Sequence, residues 1–264
     1  MIGSVSAAPR LSPGEVHVWQ LPLDQPAERM AALAAVLTEA ERARAGRFAR
    51  AEVARRWIAG RALRRHVLAR YAHESPAALA FTAAEGGKPF LLGSGGRPSA
   101  LEFSMADSQA RSLLAVTVGA AIGIDIEAIR PLDRMDGIVA RSFSPREQAA
   151  YGELSPEQRR QAFFGAWTQK EAVAKALGLG LALPFASFTV SLDPAAPARL
   201  IEIGGDEQRA AAWSLRRVPA PPGYAAALAV AGEISALRVW PEETALRLAV
   251  AAAASGTATQ CRCE

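Results

Sequence analysis

The run Ile122-Gly123-Ile124-Asp125-Ile126-Glu127 sets two carboxylates two residues apart among isoleucines. On a strand, alternate side chains share a face, so the isoleucines turn toward a core while Asp125 and Glu127 project together from the other side. Carboxylates placed this way repel each other unless something positive lies between them. A hard divalent cation such as Mg²⁺ fits, because it takes oxygen ligands and keeps some waters for a phosphate substrate. The same alternation also describes an ordinary solvated strand face. A second run, Trp167 to Lys175, reads as helix. There Trp167, Glu171 and Lys175 follow i, i+4, i+8 and form one stripe, which read alone is equally a surface ion pair anchored by a tryptophan. A third segment, Gly87-Lys88-Pro89, puts a lysine in a turn. Its glycine permits close approach to a ligand and its proline fixes the exit direction. Read alone, it is an exposed turn lysine. The chain has thirty basic side chains, and only Lys88, Lys170 and Lys175 are lysines. Two of the three fall in the helical run. Lysine is a compact point charge on a flexible stem, unlike the forked arginine that dominates here.

These residues need elements to hold them. Residues 15–19 alternate like a half-buried strand, and residues 28–70 follow a helical pattern with arginines outward. Residues 81–92 read as strand, turn and extended segment, with a loop over 93–98. Leu113 to Val118 and Ala121 to Glu127 read as consecutive strands about a turn at Gly119. Two helix starts follow. Ser144-Pro145-Arg146-Glu147 and Ser155-Pro156-Glu157-Gln158 each offer an N-cap, a first-turn proline and a Glu or Gln at N3. The second helix runs to about Leu177 and stops at Gly178. Residues 188–192, 199–203, 211–218 and 225–230 read as strands, and the chain after Trp240 as a helix with a frayed tail. The fold class is therefore α+β. The expected division is 1–119, 120–240 and a tail, 241–264, with the first two halves closely packed.

Length and composition narrow the function. A chain of 264 residues, half hydrophobic and 21% charged, buries a sizeable core and is not intrinsically disordered. No apolar run approaches a membrane span, and no secretory signal is visible at the start, so a cytoplasmic protein is expected. Cysteines stand only at Cys261 and Cys263, which excludes a disulfide framework. The net charge of +4 admits an acidic partner, but no basic-aromatic motif points to nucleic acid. His17, His66 and His73 read as structural or exposed.

Taken together, the segments resemble the 4'-phosphopantetheinyl transferases, of the larger surfactin-synthetase-activating type. The likeness runs from about Val16 to Val230. It is carried by Gly123-Ile124-Asp125-Ile126-Glu127 and by Trp167-Thr168-x-Lys170-Glu171-Ala172-x-x-Lys175. The latter continues through Gly178-Leu179-Gly180-Leu181-x-Leu183-Pro184 to Ser187-Phe188-x-Val190. Phe143-Ser144-x-x-Glu147, Gly87-Lys88-Pro89, Arg47-Phe48 and Arg56-x-x-x-Gly60 add to it. The resemblance implies two similar α+β halves about a pseudo-twofold axis, with the active site in the cleft between them. It implies Mg²⁺-dependent transfer of the phosphopantetheine arm of coenzyme A to a serine of an acyl, peptidyl or aryl carrier protein, releasing adenosine 3',5'-bisphosphate. Asp125, Glu127 and Glu171 would hold the metal. Glu171 and Lys175 would be catalytic, as proton acceptor and leaving-group partner. Arg44, Arg56, Lys88, Ser104, Lys170 and Lys175 would bind coenzyme A. Phe143 to Tyr151 would help dock the carrier protein. A monomer is expected, with no membrane and no nucleic acid partner.

The resemblance has gaps. Family members carry a Ser-His-Ser core within Phe-Asn-x-Ser-His-Ser. Set against Ser104-Met105-Ala106, the histidine becomes a methionine, which cannot donate to phosphate. Asp107 adds negative charge nearby, and Glu41 stands where many relatives carry a lysine. Two other readings follow: a repurposed homologue acting on an already loaded carrier protein or acyl thioester, or a non-catalytic carrier-binding module.

Overall fold

The computed structural model describes residues 10–83, 87–93, 96–178 and 183–259, with side chains described through residue 250. The chain opens with strand β1 (Glu15–Pro22) and helices α1 (Ala27–Ala35), α2 (Glu39–Ala45) and α3 (Ala51–Ala72). A ribbon of β2 (Ala80–Ala83) and β3 (Pro89–Leu92) leads to the hairpin β4 (Leu101–Ser108) and β5 (Arg111–Val118). The second half repeats the plan. Strand β6 (Ile122–Ala128) is followed by α4 (Met135–Ser142), α5 (Pro145–Gly152) and the long α6 (Pro156–Leu177). A ribbon of β7 (Phe188–Val190) and β8 (Leu200–Ile203) precedes α7 (Glu207–Ala211) and the hairpin β9 (Trp213–Arg217) and β10 (Tyr224–Ala231). Both halves order their strands alike, β1-β5-β4 and β6-β10-β9, all antiparallel.

Two elements then return to the first half. Strand β11 (Ala236–Trp240) pairs parallel with β1, and α8 (Glu242–Thr259) packs on α3 and β1. Residues 236–259, which the sequence reading divides between the second half and a tail, thus complete the first half.

Three apolar cores follow from this plan. One lies beneath α3 and includes Leu63, Phe103 and Leu114; one lies beneath α6 and includes Phe163, Val173 and Ala227. The third joins the two sheets face to face through Val16, Val18, Ala106, Leu113, Ile122, Ile124, Ile126 and Leu228. The alternation of β6 thus has a destination, since its isoleucines form the joint between the halves.

The other face of β6 meets α6, and Gly123 makes that approach possible. A Cβ there would collide with the Ala172 carbonyl oxygen and lie 2.5 Å from the Ala176 nitrogen. Helix α6 starts on a capping box at Ser155 and Gln158 and ends at Gly178, whose φ of 71° suits glycine. Among the described residues, no helix is long and apolar enough to cross a membrane. Cys261 and Cys263 lie outside the described residues.

Candidate active site

The edge of β6 that faces the first half is paired with side chains rather than with a strand. Lys88 Nζ donates to the Ile122 carbonyl at 2.9 Å. Ser104 Oγ accepts from the Ile124 N–H at 3.1 Å, and Ser108 Oγ accepts from the Ala128 N–H at 3.0 Å. Lys175 Nζ, arriving from α6, donates to the Ile124 carbonyl at 3.1 Å. Two residues the sequence singles out, Lys88 and Lys175, are thereby anchored on main-chain oxygens two residues apart. They share a groove of about 240 Å³ lined by Phe103, Ser104, Met105 and Gly178.

The carboxylates stand beside this groove. Asp125 is 6% exposed, and Lys175 Nζ donates to its Oδ1 at 2.7 Å. Its second oxygen, Oδ2, is buried without a hydrogen-bond partner. Burial pushes the Asp125 carboxyl up to about 7; Lys175 pulls against this, and Glu171 and Glu127 add to it. Glu171 is raised in the same direction by burial and by the charge of Glu127, with Lys175 opposing. Glu127 accepts a hydrogen bond from Ser108 Oγ at 2.9 Å. Three acids therefore sense one another across β6 and α6, as the period of the strand and that of the helix allow. Among the described residues, no three such groups are gathered into a finished metal cage. The donor set nevertheless suits a hard cation. It consists of carboxylates held near like charges, one of which keeps a buried oxygen with no partner.

Lys170 belongs elsewhere. It is fully buried one residue before Glu171, and its Nζ donates to the carbonyls of Phe185 and Phe188 at 2.8 and 2.7 Å and pairs with Glu147 at 2.8 Å. Three acceptors match the three protons of an ammonium, so the proton stays on lysine although burial pulls Lys170 down and Glu147 up. Its assignment to coenzyme A is therefore corrected to a structural one. The spacing does carry a sign of this, because Phe163, Ala166, Val173, Ala174 and Leu177 put Lys170 on the apolar stripe of α6. The expected docking run, Phe143 to Tyr151, divides: Pro145, Arg146 and Ala149 are exposed and four others are buried. Phe143, Ser144, Glu147 and Tyr151 all point inward, with Glu147 closing a capping box on Ser144 and accepting from the Val190 N–H at 2.7 Å.

The structure does not bring Arg44 to the carboxylates. Arg44 is exposed, with its guanidinium 5.8 Å from the centre of the Trp57 ring. Arg56 pairs with Asp24 and Glu52 beside a surface depression that Arg55 also lines. Glu41 is no obstacle to a phosphate. It is buried, closes the capping box of α2 and pairs with Arg61 and Arg65. The Ser-His-Ser register also moves. With Phe103 taken as the phenylalanine of Phe-Asn-x-Ser-His-Ser, the triplet falls on Ala106-Asp107-Ser108. In that register its last serine is the one that touches Glu127. Met105 instead packs against the first core and lines the groove. Asp107 pairs with Arg64 of α3, a contact between residues 43 apart that no local pattern announces.

Residues 121–229 match the 4'-phosphopantetheinyl transferase superfamily. The chain is 40% identical over 218 residues to the 4'-phosphopantetheinyl transferase HetI of Nostoc, a match covering 83% of this chain and 88% of that protein. It is 34% identical over 160 residues to a 4'-phosphopantetheinyl transferase of Bacillus subtilis, covering 61% and 68%. The crystal structure of Thermotoga maritima holo-[acyl-carrier-protein] synthase aligns with 43% of this chain and 63% of that one, at 19% identity and a TM-score of 0.33.

Proposed function

The chain belongs to the 4'-phosphopantetheinyl transferase superfamily, and from that premise we propose that it moves the phosphopantetheine arm of coenzyme A onto a serine hydroxyl of a carrier protein. The observation that carries this reading is the meeting of Asp125, Glu127, Glu171 and Lys175 where β6 packs on α6 beside the groove. The chemistry is attack by the serine oxygen on the β-phosphorus of a pyrophosphate, with departure of adenosine 3',5'-bisphosphate. It needs negative charge neutralised, reactants positioned and a proton removed.

Each residue has a part suited to its surroundings. Asp125, Glu127 and Glu171 would hold Mg²⁺, which when bound neutralises charge on the pyrophosphate oxygens. The Glu171 carboxylate accepts the serine proton, directly or through water. Lys175 leans on Asp125 and the Ile124 carbonyl, so its ammonium is positioned before any phosphate arrives and neutralises the leaving group. Lys88, anchored at the other end of the groove, serves the nucleotide end. Ser104, whose Oγ accepts from the Ile124 N–H, keeps its own O–H for the ligand in the groove it lines. We place the reaction in the cytoplasm, where coenzyme A and apo carrier proteins meet, and expect a monomer to suffice.

The test is intact-mass measurement of an apo carrier protein incubated with this protein, coenzyme A and Mg²⁺. A phosphopantetheine mass gain that disappears with a chelator and with Glu171→Gln is expected. No gain across a panel of carrier proteins that a competent transferase does modify would overturn the reading.

A further inference from the structure

We infer that Arg64, positioned by Asp107, binds a phosphate group of the coenzyme A substrate in this cleft; the inference rests on the transferase reading above. Arg64 lies on α3 one turn after Gly60, and its side chain folds back along the helix over that glycine. A Cβ at residue 60 would stand 3.3 Å from Arg64 Nη2. Nη2 donates to Asp107 Oδ1 and, at 3.1 Å, to Ser112 Oγ. Both bonds use one nitrogen of the fork. Nε is buried with no hydrogen-bond partner. An arginine that served only to pair with Asp107 would present two nitrogens to the two carboxylate oxygens. Here the guanidinium is gripped at one corner, and N–H groups remain for a second oxyanion.

Position argues for the same ligand. Asp107 immediately precedes Ser108, which donates to Glu127 of the acidic trio. Arg64 therefore stands, through Asp107, one residue along β4 from the serine that touches the acidic trio. The Arg64 side chain is 11% exposed, whereas that of Asp107 is 49% exposed. The cation is thus largely desolvated, with its carboxylate partner out toward solvent, an arrangement that strengthens the pull on an incoming anion. Asp107 holds the guanidinium beside β4, the strand whose residues Phe103, Ser104 and Met105 line the groove. Phosphate oxygens are the ligand that this fork suits, and the substrate brings several.

The experiment uses the full chain and the variants Arg64→Gln, Arg64→Lys and Asp107→Asn. Binding of adenosine 3',5'-bisphosphate and of coenzyme A is followed by calorimetry, and kcat and KM are measured separately for coenzyme A and for the apo carrier protein. Arg64→Gln should weaken bisphosphate binding and raise the coenzyme A KM by about tenfold or more, with kcat within about threefold and the carrier KM unmoved. Arg64→Lys should recover part of the loss. Asp107→Asn should raise the coenzyme A KM by a smaller factor, about threefold, because the guanidinium loses its orienting partner. A thermal melt of each variant separates lost binding from lost fold, and Asp107→Asn changes a half-exposed position if Arg64→Gln fails to fold. Unchanged nucleotide affinity in Arg64→Gln overturns the inference, as does a change confined to the carrier KM. A wild-type protein that binds the bisphosphate but never transfers sinks the transferase reading instead, and Arg64 is then judged on the calorimetry alone.

Discussion

Helix α6 carries two lysines five residues apart, and each bonds a carboxylate and at least one main-chain carbonyl. The side chains of Lys170 and Glu147 are both fully buried, whereas the Lys175 side chain is 31% exposed over a buried Asp125. The sealed pair is complete, with three acceptors for three protons. The open pair is not, because Asp125 Oδ2 has no partner and the Lys175 ammonium reaches the groove. A lysine paired with a carboxylate therefore locks α5, α6 and β7 together in one place and leaves unspent interaction for a ligand in the other. An ion pair becomes a site when it is left unfinished within reach of solvent.

The largest effect that tests this contrast is on activity. Lys175→Gln should lower kcat/KM for transfer by about a hundredfold or more, since it removes a charge aimed at a developing anion. Its folding stability should change by only about 1 kcal/mol, because Asp125 can take up a proton instead of standing charged and unpaired. Steady-state kinetics beside a denaturant titration check both parts. A Lys175→Gln protein that transfers at the wild-type rate would break the comparison.

The sealed pair predicts the reverse. Lys170→Met leaves Glu147 buried without its counter-charge and should cost about 3–5 kcal/mol of stability. The fraction that remains folded should transfer at close to the wild-type rate. Adding Glu147→Gln should restore part of the loss, because removing both charges is cheaper than stranding one. Chemical denaturation of the single and double variants measures this. A double variant less stable than Lys170→Met alone would show that the two residues do not act as a pair.

His66 offers a third case, a sealed ionisable group that burial alone displaces. It is 4% exposed, and burial lowers its pKa from 6.5 to about 4. The unfolded chain takes up the proton near pH 6.5 while the folded one resists until about pH 4. The unfolded state thus binds more protons across that window, and stability falls as pH drops through it. The loss should reach about 3 kcal/mol by the bottom of the window. His66→Leu should remove that acid limb, read as a smaller difference in denaturation midpoint between pH 7 and pH 4. An equally steep acid limb in the variant would mean that His66 does not contribute to it.

Much of this was legible in the sequence because it depends on short-range periodicity. The isoleucine alternation of β6, both serine-started helices and the stop at Gly178 are local patterns, and the structure has them where the pattern puts them. Depth was not legible in the same way. Spacing along a helix gives direction but not what lies in that direction, so Lys170 and Lys175 looked alike. Glu41 read as a charge conflict, yet it is the N3 member of a capping box; Glu147 was legible at N3, but the reach of its second oxygen to the Val190 N–H was not. Strand β11 escaped because residues 236–240 are only partly buried and owe their conformation to β1, more than two hundred residues away. The Arg64–Asp107 pair escaped for the same reason, since neither residue has a local partner that marks it.

The smallest effect concerns the β6 edge on which Lys88 and Lys175 are anchored. Ser104 and Ser108 satisfy the N–H groups of Ile124 and Ala128, a constant offset of twenty residues between two strands that run parallel there. Strand alternation turns the Ile126 N–H to the same edge, and the residue opposite it is Ala106. A hydroxyl at that position would supply the missing rung, so Ala106→Ser should stabilise the protein by about 1 kcal/mol, the net worth of one buried hydrogen bond. The gain should appear as a higher denaturation midpoint with an unchanged denaturant dependence and an unchanged coenzyme A KM, since the rung lies between the halves rather than in the groove. A lower midpoint would mean that the edge of β6 is already satisfied at Ile126 and that the new hydroxyl is merely buried. The joint would then rest on its isoleucines and on the polar contacts of Lys88, Ser104 and Ser108.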